Sequence, residues 1–191
     1  MAPKAKFSRE EVIQTAFEIV RTQGVENLNA RALAEKLKCS TSPIFTMFGN
    51  MEEAKQELFL KVKEYYMHCL QEGSREKIPF KGVGTANIKF AAQEPHLYRW
   101  LFMTKEENVL TPGEFLLQFG DLGQTVMQVI ETATGLKGQA ARELYENMWI
   151  FTHGISALIV TGVCNFSEEE ISRKLTAVFE GTLLSIKKAE Q

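Results

Sequence analysis

Short polar side chains and cations cluster in residues 29–48, NARALAEKLKCSTSPIFTMF, and these residue types suit contacts with nucleic acid. Hydroxyl groups can donate to and accept from base edges, whereas cations and backbone N–H groups contact phosphate oxygens. The hydroxyl side chains are Ser40, Thr41, Ser42 and Thr46, and the cations are Arg31, Lys36 and Lys38. The segment is therefore a candidate surface for contacts with both bases and phosphates.

The same residues predict two short helices joined by a tight turn. Asn29 can cap the first helix and Ser40 the second, and Pro43 then falls in the first turn, where a missing N–H costs little. The apolar residues of the segment recur at helical spacing; they are Ala32, Leu33, Leu37, Ile44 and Phe48. A helix-turn-helix of this kind inserts the start of its second helix into the major groove. The alternative is a packed helix pair without a DNA-binding role.

Helix caps and helical spacing of apolar residues continue along the whole chain, with Gly and Pro between the segments. Two capping boxes mark helix starts, Ser8 with Glu11 and Ser167 with Glu170. We expect an all-α fold of about nine helices. They cover about residues 8–23, a short helix after Asn29, another after Ser40, then 50–73, 81–93, a helix opened by Pro95, 113–133, 139–163 and 168–187, with a loop at 103–112.

The composition and charge of the chain limit the classes of function that the protein can have. The 191 residues include 22 Lys and Arg against 24 Asp and Glu, so the net charge of -2 indicates no overall attraction to nucleic acid or anionic membrane. Residues 1–63, however, hold ten Lys and Arg against eight Glu. The three cysteines lack metal-ligand spacing, which favours a reducing cytoplasm. Residues 148–164 are apolar but short and interrupted by His153, so we interpret them as a buried helix and expect no membrane association.

Enzyme chemistry finds little support in the sequence. Asp121 is the only Asp, neither GxGxxG nor GxxxxGK[ST] occurs, and no histidine stands beside a nucleophile motif. Glu64, His68 and Glu72 share one helix face and have side chains that can bind a metal, but a solvated helix face explains them better. We therefore expect a protein that is not an enzyme and needs neither cofactor nor metal.

From Phe7 to about Leu60 the chain resembles the TetR/AcrR family of bacterial transcriptional regulators. The resemblance rests on a first helix ending at Gly24, then LNARALAEKL (28–37), then Ser40 to Phe48 and GNMEEA (49–54). It implies that residues 1–50 form a helix-turn-helix DNA-binding domain. Residues 51–191 would form an effector-binding and dimerisation domain, connected through the helix that begins near residue 50.

The sequence departs from the family pattern at several contact positions. Phe45 stands where the family has a phosphate-binding Tyr, Met47 where it often has His, and Met51 where a Lys begins the fourth helix. Cys39 replaces the turn Gly, and Asn29 replaces a Thr. The expected DNA-binding residues are Lys6, Asn29, Ala30, Arg31, Lys38, Ser40, Thr41, Ser42, Phe45, Thr46 and Met51. Unpaired N–H groups at the start of the fourth helix offer a further phosphate site.

A second resemblance, covering about residues 80–180, is to the WHG-type ligand-binding domain found in some TetR-type regulators. Trp149, His153 and Gly154 form W-x-x-x-H-G, and PHLYRWLF (95–102) opens the sixth helix. Trp149 and His153 share one helix face, where they contact a ligand or pack in the core. The expected ligand-binding residues are Asn87, Phe90, Trp100, Met103, Phe115, Phe119, Trp149, Thr152 and His153, which favours a small, hydrophobic effector.

The sequence thus predicts a ligand-responsive repressor that binds double-stranded operator DNA. The apolar stripes of the eighth and ninth helices, together with the resemblance, predict a homodimer through these two helices. A two-fold dimer would present its recognition helices roughly 34–36 Å apart and read a near-palindrome. The alternative is a helical adaptor or ligand-binding protein that has lost specific DNA binding, since Phe45, Met47 and Met51 replace polar residues of the contact surface.

Overall fold

The helical periodicity of the sequence is realised as an all-α structure, as predicted. The computed structural model describes residues 7–104, 110–117 and 120–190, and these contain ten α-helices and no strand. The helices are α1 (Arg9–Gln23), α2 (Ala30–Leu37), α3 (Ser42–Phe48), α4 (Met51–Gly73), α5 (Pro79–Gln93), α6 (Pro95–Phe102), α7 (Pro112–Leu117), α8 (Gly120–Thr134), α9 (Gly138–Val160) and α10 (Glu168–Ala189), with a short 3-10 helix at Val25–Asn27.

Two predicted helix boundaries are wrong. The third helix begins at Ser42 with Thr41, not Ser40, as its N-cap, because the Thr41 carbonyl accepts the first helical bonds from Ile44 and Phe45. The single helix predicted over 113–133 is two helices, α7 and α8. Gly120, at the start of α8, has a φ of +50°, which a regular right-handed helix does not contain.

The chain divides into two compact units. The first consists of Met1–Tyr65 and Glu94–Thr104, and the second of Tyr66–Gln93 and Lys105–Gln191. This division differs from the predicted boundary near residue 50, because α6 and the first part of α4 belong with α1 to α3. Helix α4 is continuous through the division and contributes residues to both units.

The first unit packs around α1, whose apolar residues recur every three or four positions. Helix α1 contacts α2 and α6, and α2 contacts α3. The buried side chains include Val12, Phe17, Val20, Leu33, Ile44, Phe48, Leu58 and Leu97. Burying eight such side chains, at roughly 1.5–3 kcal/mol each before entropy is counted, supplies the main driving force for the unit.

An ion pair explains why α6 joins the first unit. Glu94, the N-cap of α6, is 5% exposed, and its carboxylate accepts hydrogen bonds from Arg21 Nε at 2.8 Å and Nη2 at 2.6 Å. The Tyr65 hydroxyl donates to the same carboxylate at 3.2 Å. A buried carboxylate is tolerated only when it is paired and hydrogen-bonded in this way. Residues from α1, α4 and α6 are thereby held together.

The second unit is a bundle in which α5 and α9 form the central pair. Helix α10 packs on both, and α8 packs on α9 and α5. At the junction of α4 and α5 the backbones approach closely, since a Cβ on Gly82 would lie 2.0 Å from the Gly73 carbonyl oxygen. Within the described part of the chain, no helix is both long and apolar enough to cross a bilayer. The apolar residues near position 150 lie in α9.

Candidate nucleic-acid interface and ligand pocket

The first helix of the helix-turn-helix is capped by Asn29, as predicted. Asn29 Oδ1 accepts hydrogen bonds from the N–H groups of Arg31 at 3.1 Å and Ala32 at 3.0 Å. The side-chain oxygen is therefore committed to the helix start, while the Arg31 side chain is exposed. Ala30 is 9% exposed and lies at the edge of the core. Of these three predicted contact residues, Arg31 presents the most accessible polar group.

The turn of the motif contains a left-handed residue that the sequence did not reveal. Lys38 has φ 52° and ψ 49°, and its N–H donates to the carbonyls of Ala34 and Glu35. Residues other than Gly and Asn rarely adopt this left-handed backbone conformation. The left-handed residue lies one position before Cys39, and the Lys38 side chain is exposed.

Helix α3 separates a buried apolar face from an exposed polar one. Ile44 and Phe48 are each 1% exposed, whereas Ser40, Ser42 and Thr46 are exposed and Thr41 is half-buried. Thr46 Oγ1 donates to the Ser42 carbonyl at 3.0 Å, which leaves its oxygen free to accept. Phe45 lies among these polar residues and is 45% exposed, an unusual position for a large aromatic side chain.

The cations near the motif differ in whether they are paired. Among the described residues, Arg31, Lys36 and Lys38 take part in no ion pair, so their charges are available to a phosphate. Arg9, in contrast, binds Glu53 and Glu57 at 2.9 and 2.7 Å. Hydrogen bonds to those carboxylates raise the pKa of Arg9. Lys6, a predicted contact residue, lies outside the described residues.

The start of α4 is less suited to phosphate than expected. Asn50 Oδ1 already accepts from the Glu53 N–H at 2.9 Å, and Glu52 and Glu53 place negative charge in the first turn. Met51 is half-buried at this end of the helix and brings no positive charge. These carboxylates repel a phosphate group. Among the described residues near the motif, the cations without ion pairs lie on α2 and in the turn instead.

The second unit contains a pocket of about 340 Å³, lined by residues of α4, α5, α8, α9 and α10. This volume is near the lower end of ligand pockets, roughly 300–1,000 Å³. Four of the nine predicted ligand-binding residues line it: Asn87, Trp149, Thr152 and His153. Most of the other lining residues are apolar, among them Leu70, Val83, Val126, Val129 and Met148.

Two of the predicted polar residues of the pocket, Asn87 and Thr152, are already hydrogen-bonded within the protein. Asn87 accepts from the Tyr66 hydroxyl at 2.9 Å and donates to Ser156 Oγ at 3.2 Å. The Thr152 hydroxyl donates to the Trp149 carbonyl at 2.9 Å. These interactions satisfy buried polar groups at the pocket wall, so they stabilise the bundle before any ligand is present.

Trp149 and His153 pack together, with ring centroids 4.3 Å apart. Trp149 also packs against Phe115, with ring centroids 5.3 Å apart. Burial lowers the pKa of His153 to about 4, so the imidazole is neutral at pH 7. Trp149 Nε1 is buried and has no hydrogen-bond partner within the described ranges. The aromatic cluster therefore forms an uncharged wall.

The predicted ligand-binding residues lack five polar residues of the pocket lining, which are Tyr66, Lys81, Tyr145, Thr176 and Glu180. Lys81 lies near the start of α5, and its Nζ donates to Thr176 Oγ1 at 3.0 Å. Tyr145 of α9 is 6% exposed, and burial raises the pKa of its hydroxyl. Helical spacing offered no signal for Lys81, because six residues separate it from Asn87 and place the two side chains roughly 120° apart around the helix.

The remaining predicted ligand-binding residues lie elsewhere. Trp100 and Met103 belong to the first unit, where Trp100 packs against Phe59 at 5.3 Å between ring centroids and Met103 is 44% exposed. Phe90 is buried against Tyr66 and is not part of the pocket wall. Phe115 contacts Trp149 rather than the pocket, and Phe119 lies outside the described residues.

The exposed side of α9 and α10, the predicted eighth and ninth helices, includes large apolar side chains. Ile150, Leu158 and Leu184 are 56%, 37% and 56% exposed. A Cβ added at Gly154 or Gly181 would meet no atom within 4 Å. Exposed large apolar side chains beside glycines give a face that another helix can approach closely.

No protein-family model and no curated protein matches this chain. Among residues 7–104, 110–117 and 120–190, no three His, Cys, Asp or Glu side chains are grouped so as to hold a metal ion. Glu64, His68 and Glu72 therefore share a helix face without forming such a group. The two features of the molecule that bear on function are the exposed surface of the helix-turn-helix and the largely apolar pocket.

Proposed function

We propose that this protein is a ligand-responsive DNA-binding transcriptional regulator of the TetR/AcrR type, a repressor that its effector releases from DNA. The observation that carries the proposal is the polar exposed face of α3 beside three cations without ion pairs, Arg31, Lys36 and Lys38. Hydroxyls at the start of a recognition helix suit base edges, and unpaired cations suit phosphates. The proposed function is binding in the cytoplasm, with no catalytic step, cofactor or membrane contact.

The proposed assembly is a homodimer through α9 and α10, supported by their exposed apolar face. Leucine at position 154 would fill the space beside this face, so Gly154→Leu should dissociate the dimer without unfolding the monomer. Analytical ultracentrifugation measures the association, with Gln124→Leu, at an exposed position of α8, as the control. A Gly154→Leu protein that stays dimeric would exclude this interface.

Effector release is proposed to act through α4. Tyr66 and Leu70 of this helix line the pocket, while its first fifteen residues belong to the unit that contains the helix-turn-helix. A ligand changes the spacing of two recognition helices only if it binds the released state more tightly than the DNA-bound state. A continuous helix is a physical connection through which such a preference can act.

The test is fluorescence anisotropy with the duplex upstream of the protein's own gene and with a scrambled duplex, each at two salt concentrations. We expect tighter, salt-weakened binding to the upstream duplex. Thr41→Ala or Ser42→Ala should weaken binding by about 1–3 kcal/mol at one operator position. Thr22→Ala is the matched control, because its hydroxyl bonds the α1 backbone away from α3. Equal affinity for the two duplexes at both salt concentrations would argue against recognition of an operator in the upstream duplex.

A helical adaptor is the second candidate, and the exposure of Phe45 favours it. A 45% exposed aromatic ring on the expected DNA surface also suits a protein partner. Phe45→Tyr separates the two functions, since a hydroxyl at this position adds a hydrogen bond to phosphate if the surface binds DNA. Stronger DNA binding by Phe45→Tyr favours the regulator, whereas no DNA binding by either protein at low salt favours the adaptor.

A further inference from the structure

Lys81 is a cation in the wall of an otherwise largely apolar pocket. The residue is half-buried, and among the described residues its Nζ hydrogen-bonds only the Thr176 hydroxyl, at 3.0 Å. Thr176 is neutral and donates its own proton to the Ser172 carbonyl, so it serves Lys81 only as an acceptor. An ammonium group carries three donors, which leaves two of them for other acceptors.

No carboxylate within the described part of the chain pairs with Lys81. Glu180 also contributes to the pocket lining, but it is exposed on α10 and lies beyond ion-pair distance of Lys81. A partly desolvated charge without a counterion gains more from an incoming anion than a solvated one does. Lys81 is therefore a position at which a ligand gains affinity by carrying negative charge.

Tyr145 adds a second group that points to a ligand. Its side chain is 6% exposed and lines the pocket, yet its hydroxyl makes no hydrogen bond to the described residues. The phenol is a neutral donor, because burial raises its pKa. Lys81 and Tyr145 both offer protons, so a ligand that complements the pocket must supply acceptor oxygens.

We propose that the effector of this protein is an apolar carboxylate, with its hydrocarbon body between α5, α8 and α9 and its carboxylate on Lys81. The inference rests on the proposed function, since it names the chemical class of that regulator's effector. The apolar body gains from burial against side chains such as Val126 and Met148, and the charged end gains a hydrogen bond of the strong, charge-assisted kind. This class adds a negative charge to the small, largely apolar effector that the sequence favoured.

Decanoate and decanol, which share a chain length and differ in charge, test the proposal. Isothermal titration calorimetry without DNA should give a decanoate Kd at least about tenfold below that of decanol, in line with a hydrogen bond to a charged group. Lys81→Met should abolish this preference, and Lys81→Arg should retain it. Lys89→Met, an exposed position of the same helix outside the pocket, should behave as the wild type.

Equal affinity of the wild type for decanoate and decanol, or a preference that survives in Lys81→Met, would overturn the proposal. Circular dichroism melting of each variant shows whether a lost preference reflects unfolding, and Lys81→Arg supplies a second comparison if Lys81→Met does not fold. The proposed function fails separately. If the protein prefers decanoate but does not bind the upstream duplex specifically, it does not regulate transcription at that site. If it binds the upstream duplex but shows no preference for decanoate, its effector belongs to another chemical class.

Discussion

Removing the positive charge of Lys38 should change how DNA binding depends on salt. The side chain is exposed at the turn of the helix-turn-helix and forms no ion pair with any described residue. We choose Lys38→Asn, because Lys38 has a left-handed backbone, with φ 52°, that Asn adopts more readily than most residues. The substitution thus removes a charge while keeping the turn.

The magnitude follows from the number of phosphates that lose their contact. Each neutralised phosphate contributes roughly -0.9 to the slope of log affinity against log salt. A dimer carries Lys38 twice, so the slope should become less steep by about 1.8. Over an approximately fourfold increase in salt, the variant should then lose about twelvefold less affinity than the wild type.

Fluorescence anisotropy at five or so salt concentrations measures both slopes on the upstream and scrambled duplexes. The loss of affinity at low salt should be similar for the two duplexes, because a phosphate contact carries no sequence information. Lys187→Asn, at an exposed position near the end of α10, is the control and should leave the slope unchanged. An unchanged slope for Lys38→Asn would refute the assignment of Lys38 to phosphate.

Three further predictions concern stability. In a double-mutant cycle of Arg21→Met and Glu94→Gln, urea unfolding should give a coupling energy of about 2 kcal/mol. This lies between the values for exposed and buried ion pairs, because Glu94 is buried and Arg21 is 43% exposed. A coupling energy near zero would contradict this prediction. Gly82→Ala should lower the melting temperature far more than Gly181→Ala, because the new Cβ at position 82 would lie 2.0 Å from the Gly73 carbonyl oxygen while the space at position 181 is open. Equal melting temperatures would show that the backbones of α4 and α5 can move apart at little cost. Burial lowers the pKa of His153 to about 4, so below about pH 6.5 the unfolded chain binds a proton that the folded protein does not. Between about pH 7 and 4 the wild type should therefore lose about 3 kcal/mol more stability than His153→Gln, and parallel pH profiles of unfolding would exclude this origin.

Features that depend on neighbours along the chain were predicted well. The capping boxes at Ser8 and Ser167 are present as expected, with Glu11 and Glu170 completing them. Hydrogen bonds to the cap residues lower the pKa of both carboxyl groups. A capping box needs only residues three positions apart, so its geometry follows from local sequence.

The candidate site was predicted in part, for the same reason. Spacing along α9 placed Trp149 and His153 on one face, and both line the pocket. Trp100, in contrast, was chosen for its aromatic character, yet it packs in the first unit against Phe59. Aromatic side chains serve both cores and ligand sites, and periodicity alone does not distinguish the two.

The all-α class, most helix boundaries and the apolar and polar faces of the helix-turn-helix follow from contacts within a few residues, so they were predictable from the sequence. The pairing of Arg21 with Glu94, 73 positions away, and the division of the compact units at Tyr65 emerge only when the helices pack. Helix packing likewise brings Lys81 to Thr176, 95 positions along the chain. Such contacts depend on how the helices pack, and a single sequence carries no local signal for them.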